Sequence, residues 1–245
     1  MDSGRPFLRA FWRNLAILNY EVDPPILKKY LPQGTEIDTF HGKTFVSMVA
    51  FQFLKTRVMG VAIPFHCNFE EINLRFYVKY QVPGGELRRG VVFIREIVPR
   101  AAIAFVARTL YEEKYIALPT RSTIEFSSER QGNPQFIEYQ WRLNHVWNSI
   151  SVRPLGTPQD LNSGSIEEFI TEHYWGYTQL TNGGTCEYQV KHPRWRIWSV
   201  EAPSLDCDVS SLYGDEFRKY LEAEPHSAFL AEGAAVEVYP GKRIC

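Results

Sequence analysis

The residues best suited to chemistry alternate along one short segment of the chain. Every second position there carries a different polar group, namely Glu71, Asn73, Arg75 and Tyr77. Side chains at alternate positions of a β-strand project from the same face of the sheet. A guanidinium binds a carboxylate through paired hydrogen bonds, and amide and phenol groups add further donors. This face is therefore a candidate binding site for a small anionic or carbonyl-bearing molecule, with Glu71 as the candidate proton-transfer group.

Two environments for this face remain open from the sequence. The opposite face carries only aliphatic and aromatic side chains, namely Ile72, Leu74, Phe76 and Val78. In an open sheet the polar face would be solvated, whereas in a barrel it would line an enclosed cavity, which is the arrangement we expect. A buried Arg75 would need an acid from another strand, a water or a ligand anion, because Glu71 lies about 13 Å away along the strand.

The elements that must position this face are mostly strands. Alternating patterns and turn residues predict strands at residues 36–40, 44–54, 70–80, 89–97, 115–129, 136–152, 186–199 and 234–239, of which the one at 186–199 is interrupted by His192-Pro193. Short helices are predicted at residues 24–30, 101–110, 166–174 and 215–223. Near Asn144 and His145 the apolar positions change from odd to even numbers, which we interpret as a β-bulge that bends one long strand. The pattern predicts an α+β, mostly β fold: an antiparallel or mixed barrel with a few short outer helices, a single domain over residues 1–245.

Composition narrows the possible function classes. The 245 residues are 44% hydrophobic and 22% charged, with a formal net charge of −1, which excludes a disordered chain and argues against a nucleic-acid partner. No apolar run reaches the roughly 18 residues of a membrane helix, and the N-terminus has no signal-peptide core, so we expect no membrane partner and a cytoplasmic location. Without a nucleotide-binding motif, a C-x-x-C pair or histidines at metal-ligand spacing, we predict no cofactor and no metal. The oligomeric state stays open.

Two further side chains are candidates for ligand contact, each with an alternative role. Arg108 ends the predicted helix at residues 101–110, where it either stabilises the helix dipole or faces the cavity. His192 precedes Pro193 and is either a proton-transfer group at the cavity mouth or a ring that packs at a strand end. Trp195 and Trp198 are interpreted as core residues.

An ordered set of motifs extends over nearly the whole chain. It comprises Trp12 and Asn14, Leu31-Pro32-x-Gly34, Phe69-x-Glu71-x-Asn73-x-Arg75-x-Tyr77-Val78, Gly90-Val91-x-Phe93, Ala107-Arg108, Tyr115, Leu118-Pro119, Tyr174, Tyr177, His192-Pro193-x-Trp195 and Val236-x-Val238-Tyr239-x-Gly241. This order resembles the YqjF-like family of uncharacterised conserved bacterial proteins, which is related to the acetoacetate decarboxylase-like superfamily. The resemblance implies a curved, cone-like β-barrel with a central cavity, and it implies no known reaction.

The same resemblance singles out Lys114. The superfamily's known enzyme forms a Schiff base through a lysine whose pKa is lowered by an adjacent lysine. The corresponding stretch of this chain holds one lysine, Lys114, preceded by Glu112 and Glu113. Because neighbouring carboxylates raise the pKa of an amine, we predict no Schiff base at Lys114 and keep it as a candidate ligand contact or a solvated loop residue.

Three functions stay open after the sequence. The first is a barrel whose cavity binds a small anionic or carbonyl-bearing molecule, with a lyase-like or acid–base reaction that uses Glu71. The second is a non-catalytic ligand-binding or sensing module that has lost the superfamily's lysine nucleophile. The third is an interaction protein whose barrel interior is filled by side chains. An open polar cavity would favour the first two, and a packed interior would favour the third.

Overall fold

β-Strands form most of the structure, a computed structural model that describes residues 4–99, 114–126 and 133–245. The strands are β1 (Leu8–Glu21), β2 (Glu36–Ile37), β3 (Phe45–Val58), β4 (Phe69–Gln81), β5 (Leu87–Val98), β6 (Tyr115–Ala117), β7 (Thr120–Phe126), β8 (Pro134–Leu143), β9 (Val146–Pro154), β10 (Trp175–Gln179), β11 (Thr185–Lys191), β12 (Ile197–Asp206), β13 (Ser227–Ala231), β14 (Ala235–Val238) and β15 (Lys242–Arg243). The helices are α1 (Ile166–Thr171), α2 (Val209–Tyr213) and α3 (Arg218–Leu221), with 3₁₀ helices at Pro24–Tyr30 and Asp215–Phe217. The helix predicted at residues 101–110, which carries Arg108, lies outside the described residues.

Seven strands close into a mixed barrel. The neighbours run in the order β14, β11, β10, β5, β4, β3 and β1, and β1 returns to pair with β14. The pair of β5 with β10 is parallel, and the other six pairs are antiparallel. This closed barrel with short helices confirms the predicted mostly β architecture.

Strand β1 belongs to two sheets. Residues 8–11 pair with β14, whereas residues 15–19 pair with β13. Between these halves Asn14 has a positive φ of 55°, and the register against β3 shifts. Such an irregularity bends a strand, which lets the second half of β1 leave the barrel seam. From β13 a second sheet continues through β12, β9, β8 and β7.

Both faces of β4 are buried, each against a different part of the molecule. Its even-numbered apolar side chains belong to one core together with residues of β8 and β9, among them Ile137, Tyr139, Trp141, Ile150 and Val152. Its odd-numbered side chains face the barrel interior, where Phe69 and Tyr77 join a second apolar cluster. The polar face predicted from the sequence is therefore enclosed by protein.

The segment predicted as one bent strand at residues 136–152 is instead a hairpin of β8 and β9. Asn144 and His145 have φ values of 45° and 70°, and positive φ at both central residues is the requirement of a type I′ turn. Leu143 pairs with Val146 across this turn, so odd-numbered residues of β8 face even-numbered residues of β9. The change of parity marks a two-residue turn, and the prediction of a bulge is wrong.

Proline divides two other predicted strands. The strand predicted at residues 115–129 consists of β6 and β7 with Pro119 between them, and the one at residues 186–199 consists of β11 and β12 with Pro193 between them. Proline lacks the N–H group that a ladder hydrogen bond needs. The sequence patterns identify neither β1 nor β10 nor β13. Among the described residues, no helix combines the length and the apolar character needed to cross a membrane.

Candidate functional site

The barrel encloses a cavity of about 220 Å³. Its polar wall includes Glu71, Asn73, Arg75, Glu96, Tyr115, Thr171, His173, Tyr188 and His192. Its aromatic wall includes Trp12, Phe51, Phe53, Phe69, Phe93, Trp175 and Trp195. An open cavity with a partly polar wall matches the first two functions considered above, which both require a ligand site. It does not match the third, an interaction protein whose barrel interior is filled by side chains.

Strand β4 supplies three groups to this wall through its alternation. Glu71, Asn73 and Arg75 point into the barrel and are 3%, 1% and 8% exposed. Tyr77, one step further along the same face, is also buried but is not part of the cavity wall. Its hydroxyl lies 2.6 Å from the Ser47 hydroxyl, so its polar atom is satisfied within the protein.

A pair of carboxylic acids meets a tyrosine at the centre of the polar wall. Asn73 Nδ2 donates to Glu71 Oε1 at 3.0 Å, and Tyr115 Oη donates to Glu71 Oε2 at 3.2 Å. Glu96 of β5, which is 1% exposed, pairs in register with Asn73 and lines the same cavity. Burial and the charges of Glu71 and Glu96 raise the pKa of Tyr115 well above its usual range. Tyr115 therefore keeps its proton near neutral pH and acts as a donor.

The sequence patterns miss Glu96 because β5 changes parity. In its first half the odd-numbered Val91 and Phe93 line the cavity. Arg75 then pairs with Phe93 while Leu74 pairs with Arg95, so one residue of β5 is left over at this point. Such a bulge moves the following even-numbered residue, Glu96, onto the inner face. Only the observed register reveals this change.

Arg75 is buried in the cavity wall and has no acidic partner in the part of the chain that the structure describes. Its Nη2 donates to the Ile170 carbonyl oxygen at 3.4 Å, and its guanidinium lies 5.8 Å from the Tyr77 ring. The Nε atom has no hydrogen-bond partner, and no acid within residues 4–99, 114–126 or 133–245 forms an ion pair with this side chain. The cation is thus available to a molecule in the cavity.

His173, which sequence patterns also miss, adds a neutral base beside Arg75. Its side chain is 1% exposed, and its Nε2 lies 3.3 Å from Asp38 Oδ2. Because a carboxylate accepts, Nε2 carries the proton and Nδ1, which has no partner in the described part of the chain, is left as an acceptor. Burial, helped by the cations Arg89 and Arg75, lowers the pKa of His173 to about 4 against the opposing effect of Asp38. The imidazole is therefore uncharged near pH 7.

Local structure fixes the position of His173. The preceding helix α1 is capped by Ser165, whose side-chain oxygen accepts from the Glu168 N–H at 3.2 Å. Asp38 is held by Arg89, whose Nε donates to Asp38 Oδ2 at 2.6 Å. Burial raises the pKa of Asp38, but the hydrogen bonds from His173 and Arg89 outweigh it and hold that pKa below its ordinary value. A charged carboxylate thus orients the ring.

His192 reaches the cavity wall with its ring against aromatic neighbours. It stacks on Trp195 with ring centroids 4.2 Å apart, and its Nδ1 lies 2.9 Å from the Pro193 carbonyl oxygen. Burial lowers its pKa below the ordinary value. His192 therefore combines the two predicted placements: it packs at the end of β11 and it lines the cavity. A role in proton transfer stays a prediction.

No lysine of the sequence lines the cavity. Every lysine lies within the described residues, and none is in the wall: Lys28, Lys29, Lys43, Lys55, Lys79, Lys114, Lys191, Lys219 and Lys242. Lys114 is exposed, with Nζ 4.7 Å from the centre of the Tyr30 ring. The structure brings Glu71, Asn73, Arg75 and His192 together at the cavity, and it places Lys114 elsewhere. Arg108 lies outside the described residues.

Comparison with known proteins agrees with this fold. The model of the DUF2071 family, described as an uncharacterized conserved protein, matches residues 9–235. The chain belongs to this family. Within it, the uncharacterized protein YqjF of Bacillus subtilis (strain 168) is 26% identical over 221 residues, which cover 87% of this chain and 84% of that protein. These matches confirm the resemblance given by the sequence motifs.

The fold is shared with solved structures of acetoacetate decarboxylase and of other enzymes. Acetoacetate decarboxylase from Legionella pneumophila is 13% identical with a TM-score of 0.65, covering 100% of this chain and 90% of its own. An acetoacetate decarboxylase-like enzyme from Sphingomonas wittichii RW1 is 12% identical with a TM-score of 0.69, covering 100% and 94%. The enduracididine biosynthesis enzyme MppR, complexed with pyruvate, is 12% identical with a TM-score of 0.68, covering 97% and 90%. At these identities the likeness shows the fold alone.

Proposed function

We propose that the barrel cavity binds a small carboxylic acid that also carries a carbonyl group, with the carboxylate at Arg75. The observation that carries this proposal is the buried guanidinium, which lines the cavity and forms no ion pair with any acid in the described ranges. Removing one partner of a buried ion pair costs about 3–5 kcal/mol, because the remaining charge is uncompensated. An anionic ligand would supply the missing counter-charge and a paired hydrogen bond.

Proteins of the same fold support a keto acid as the ligand. MppR has been solved with pyruvate and with the condensation product of pyruvate and imidazole 4-carboxaldehyde. The decarboxylase neighbours are named for acetoacetate. Pyruvate and acetoacetate each combine a carboxylate with a ketone, which is the chemistry that Arg75 and the donors beside it suit.

The chemistry proposed is proton transfer next to the ligand carbonyl. Glu71 takes a proton from the adjacent carbon, the C–H electron pair forms a C=C bond, and the carbonyl electrons move to oxygen. Tyr115, whose raised pKa keeps it protonated, turns its hydroxyl from Glu71 Oε2 to donate to this enolate oxygen. The proton then returns from Glu71 to the carbon: the C=C electron pair forms the new C–H bond, and the oxygen electrons restore the carbonyl. Because every lysine lies outside the cavity wall, this route uses no Schiff base.

Pyruvate binding measured by calorimetry tests the role of Arg75. We expect Arg75→Met to weaken pyruvate binding at least about 30-fold, since hydrogen bonds to a charged group are lost. The variant should melt no lower than the parent, because it removes a buried charge that has no ionic partner among the described residues. Arg95→Met is the matched control, as Arg95 lies in the neighbouring strand and is not part of the cavity wall. Equal pyruvate affinity in the Arg75→Met variant and the parent would refute the proposal.

A non-catalytic binding module is the second candidate, favoured by the lack of any lysine in the cavity wall. Exchange of the pyruvate methyl protons in D₂O, followed by NMR, distinguishes the enzyme from the binding module. An enzyme accelerates the exchange of these protons, and its Glu71→Gln variant does not. A binding module takes up pyruvate without exchange in either form.

A further inference from the structure

The cavity wall changes from polar to aromatic along the strands that build it. On β4 the inward positions run from Arg75 through Asn73 and Glu71 to Phe69. The paired strand β3 places Phe51 opposite Glu71 and Phe53 opposite Phe69. Successive inward positions are about 7 Å apart along a strand. Phe51 is the first aromatic residue in this series, and it lies opposite Glu71, whose Cα atom is about 13 Å from that of Arg75.

The aromatic end is a continuous set of rings from four separate segments of the chain: β1, β3, β4 and the connection between β11 and β12. The centroid of Trp12 lies 5.0 Å from Phe51, 5.7 Å from Phe53 and 6.1 Å from Trp195. Phe53 stacks on Phe69 at 4.7 Å. All five rings line the cavity, so they leave aromatic surface facing empty space. Such a surface favours a flat apolar group, because ring pairs gain stability beyond the burial of their area.

The volume also exceeds what a small keto acid fills. An apolar protein cavity of about 150 Å³ accommodates benzene. At about 220 Å³ this cavity has room for a six-membered ring together with a short acidic side chain. Pyruvate alone would leave the rings of Trp12, Phe51 and Phe53 uncovered.

We infer that the ligand is an aromatic acid, an arylpyruvate or short arylalkanoate, with its ring at the aromatic end and its carboxylate at Arg75. This inference rests on the proposed function, because it uses the same anion site. The polar groups between the two ends then lie beside the atoms that link the ring to the carboxylate. Glu71, opposite Phe51 in the register, is adjacent to the carbon that bears the ring.

Calorimetric titration with phenylpyruvate and with pyruvate tests the inference. We expect phenylpyruvate to bind at least tenfold more tightly, as the burial of one phenyl group predicts. Phe51→Leu should reduce the ratio of the two affinities about threefold or more, because the phenyl group loses a ring contact that pyruvate does not make. Phe45→Leu is the matched control, because Phe45 is a buried residue of β3 that does not line the cavity. Arg75→Met should weaken both acids by the same factor.

The outcomes separate this inference from the function on which it rests. If pyruvate and phenylpyruvate bind equally well, or if Phe51→Leu leaves their ratio unchanged, the aromatic ligand is refuted while the anion site stands. If neither acid binds, or if binding is indifferent to Arg75→Met, both fail together.

Discussion

Arg75 Nε and His173 Nδ1 are two of several buried polar atoms at the cavity wall that lack partners within the described part of the protein. The others include Asn73 Oδ1, Thr56 Oγ1 and the Nε1 atoms of Trp12 and Trp195. An unsatisfied buried polar atom costs about 1–3 kcal/mol, so a fold selected only for stability would fill these positions with apolar residues. Arg75 and His173 border the same cavity, where a ligand would satisfy both groups. Their cost to stability is therefore the expected signature of a binding site.

His173 makes the stability of the protein depend on pH between 6.5 and about 4. The folded protein holds the pKa of His173 at about 4, against an ordinary value of 6.5. Between these values the unfolded chain binds a proton that the folded protein does not. The free energy of unfolding therefore falls as the pH drops from 6.5 towards 4, and this group causes no further loss below 4. The full loss corresponds to about 3 kcal/mol.

Replacement of the imidazole should remove that dependence. We expect His173→Gln, measured by urea denaturation at pH 7 and pH 4.5, to lose much less stability between the two values than the parent does. Glutamine keeps a donor for Asp38, so the fold around it is retained. His226→Gln is the control, since His226 is exposed. A variant that loses as much stability on acidification as the parent would show that His173 is not the responsible group.

At the scale of elements, backbone geometry at single residues decides how the strands connect. The hairpin of β8 and β9 depends on two residues with positive φ, and the second of these, His145, carries a Cβ that makes positive φ more costly than it is for glycine. Glycine at this position would give Asn-Gly, the preferred pair for a type I′ turn. The hairpin contributes Tyr139, Trp141 and Ile150 to the core, so its turn affects the second sheet as a whole.

We expect His145→Gly to raise the free energy of unfolding by about 0.5–1 kcal/mol. His145→Val should lower it by about 1 kcal/mol, because a β-branched residue fits positive φ poorly. Both variants are compared with the parent by urea denaturation at neutral pH. If valine is tolerated as well as glycine, the turn is not of type I′ in solution.

At the scale of the whole molecule, closure of the barrel depends on one short parallel contact. Strands β5 and β10 pair through Trp175 with Gly90 and Gly176 with Val91. A Cβ at Gly90 would lie 2.5 Å from the Trp175 carbonyl oxygen and 2.6 Å from the Tyr177 ring. Because the first obstacle is backbone, a side chain at residue 90 must push the two strands apart. Glycine is thus required by close approach and not by its dihedral angles.

Gly90→Ala should therefore loosen the barrel seam. We expect a loss of about 2 kcal/mol in the free energy of unfolding, within the range typical of overpacking. Gly4→Ala serves as the control, since nothing lies within 4 Å of a Cβ there. Guanidinium denaturation of both variants provides the measurement. A Gly90→Ala protein as stable as the parent would mean that the seam is wider in solution.

The sequence by itself determines the local features of the protein. Alternation places Glu71, Asn73 and Arg75 on one face of β4, because the side-chain period of a strand is two wherever the strand lies. The Ser165 cap fixes the start of α1 for an equally local reason, and the ordered motifs indicate the family and its barrel. None of these features depends on what lies across the cavity.

The tertiary structure alone decides the composition of the site. It encloses the polar face, because barrel closure and the second sheet cover β4 on both sides. It brings Glu96, Tyr115 and His173 to that face from separate elements. A bulge in β5 turns the even-numbered Glu96 inward, whereas the alternation in the first half of that strand places odd-numbered residues on the inner face. It also leaves Arg75 without an acidic partner among the described residues. Such facts depend on contacts between residues far apart in the chain, and periodicity carries no information about them.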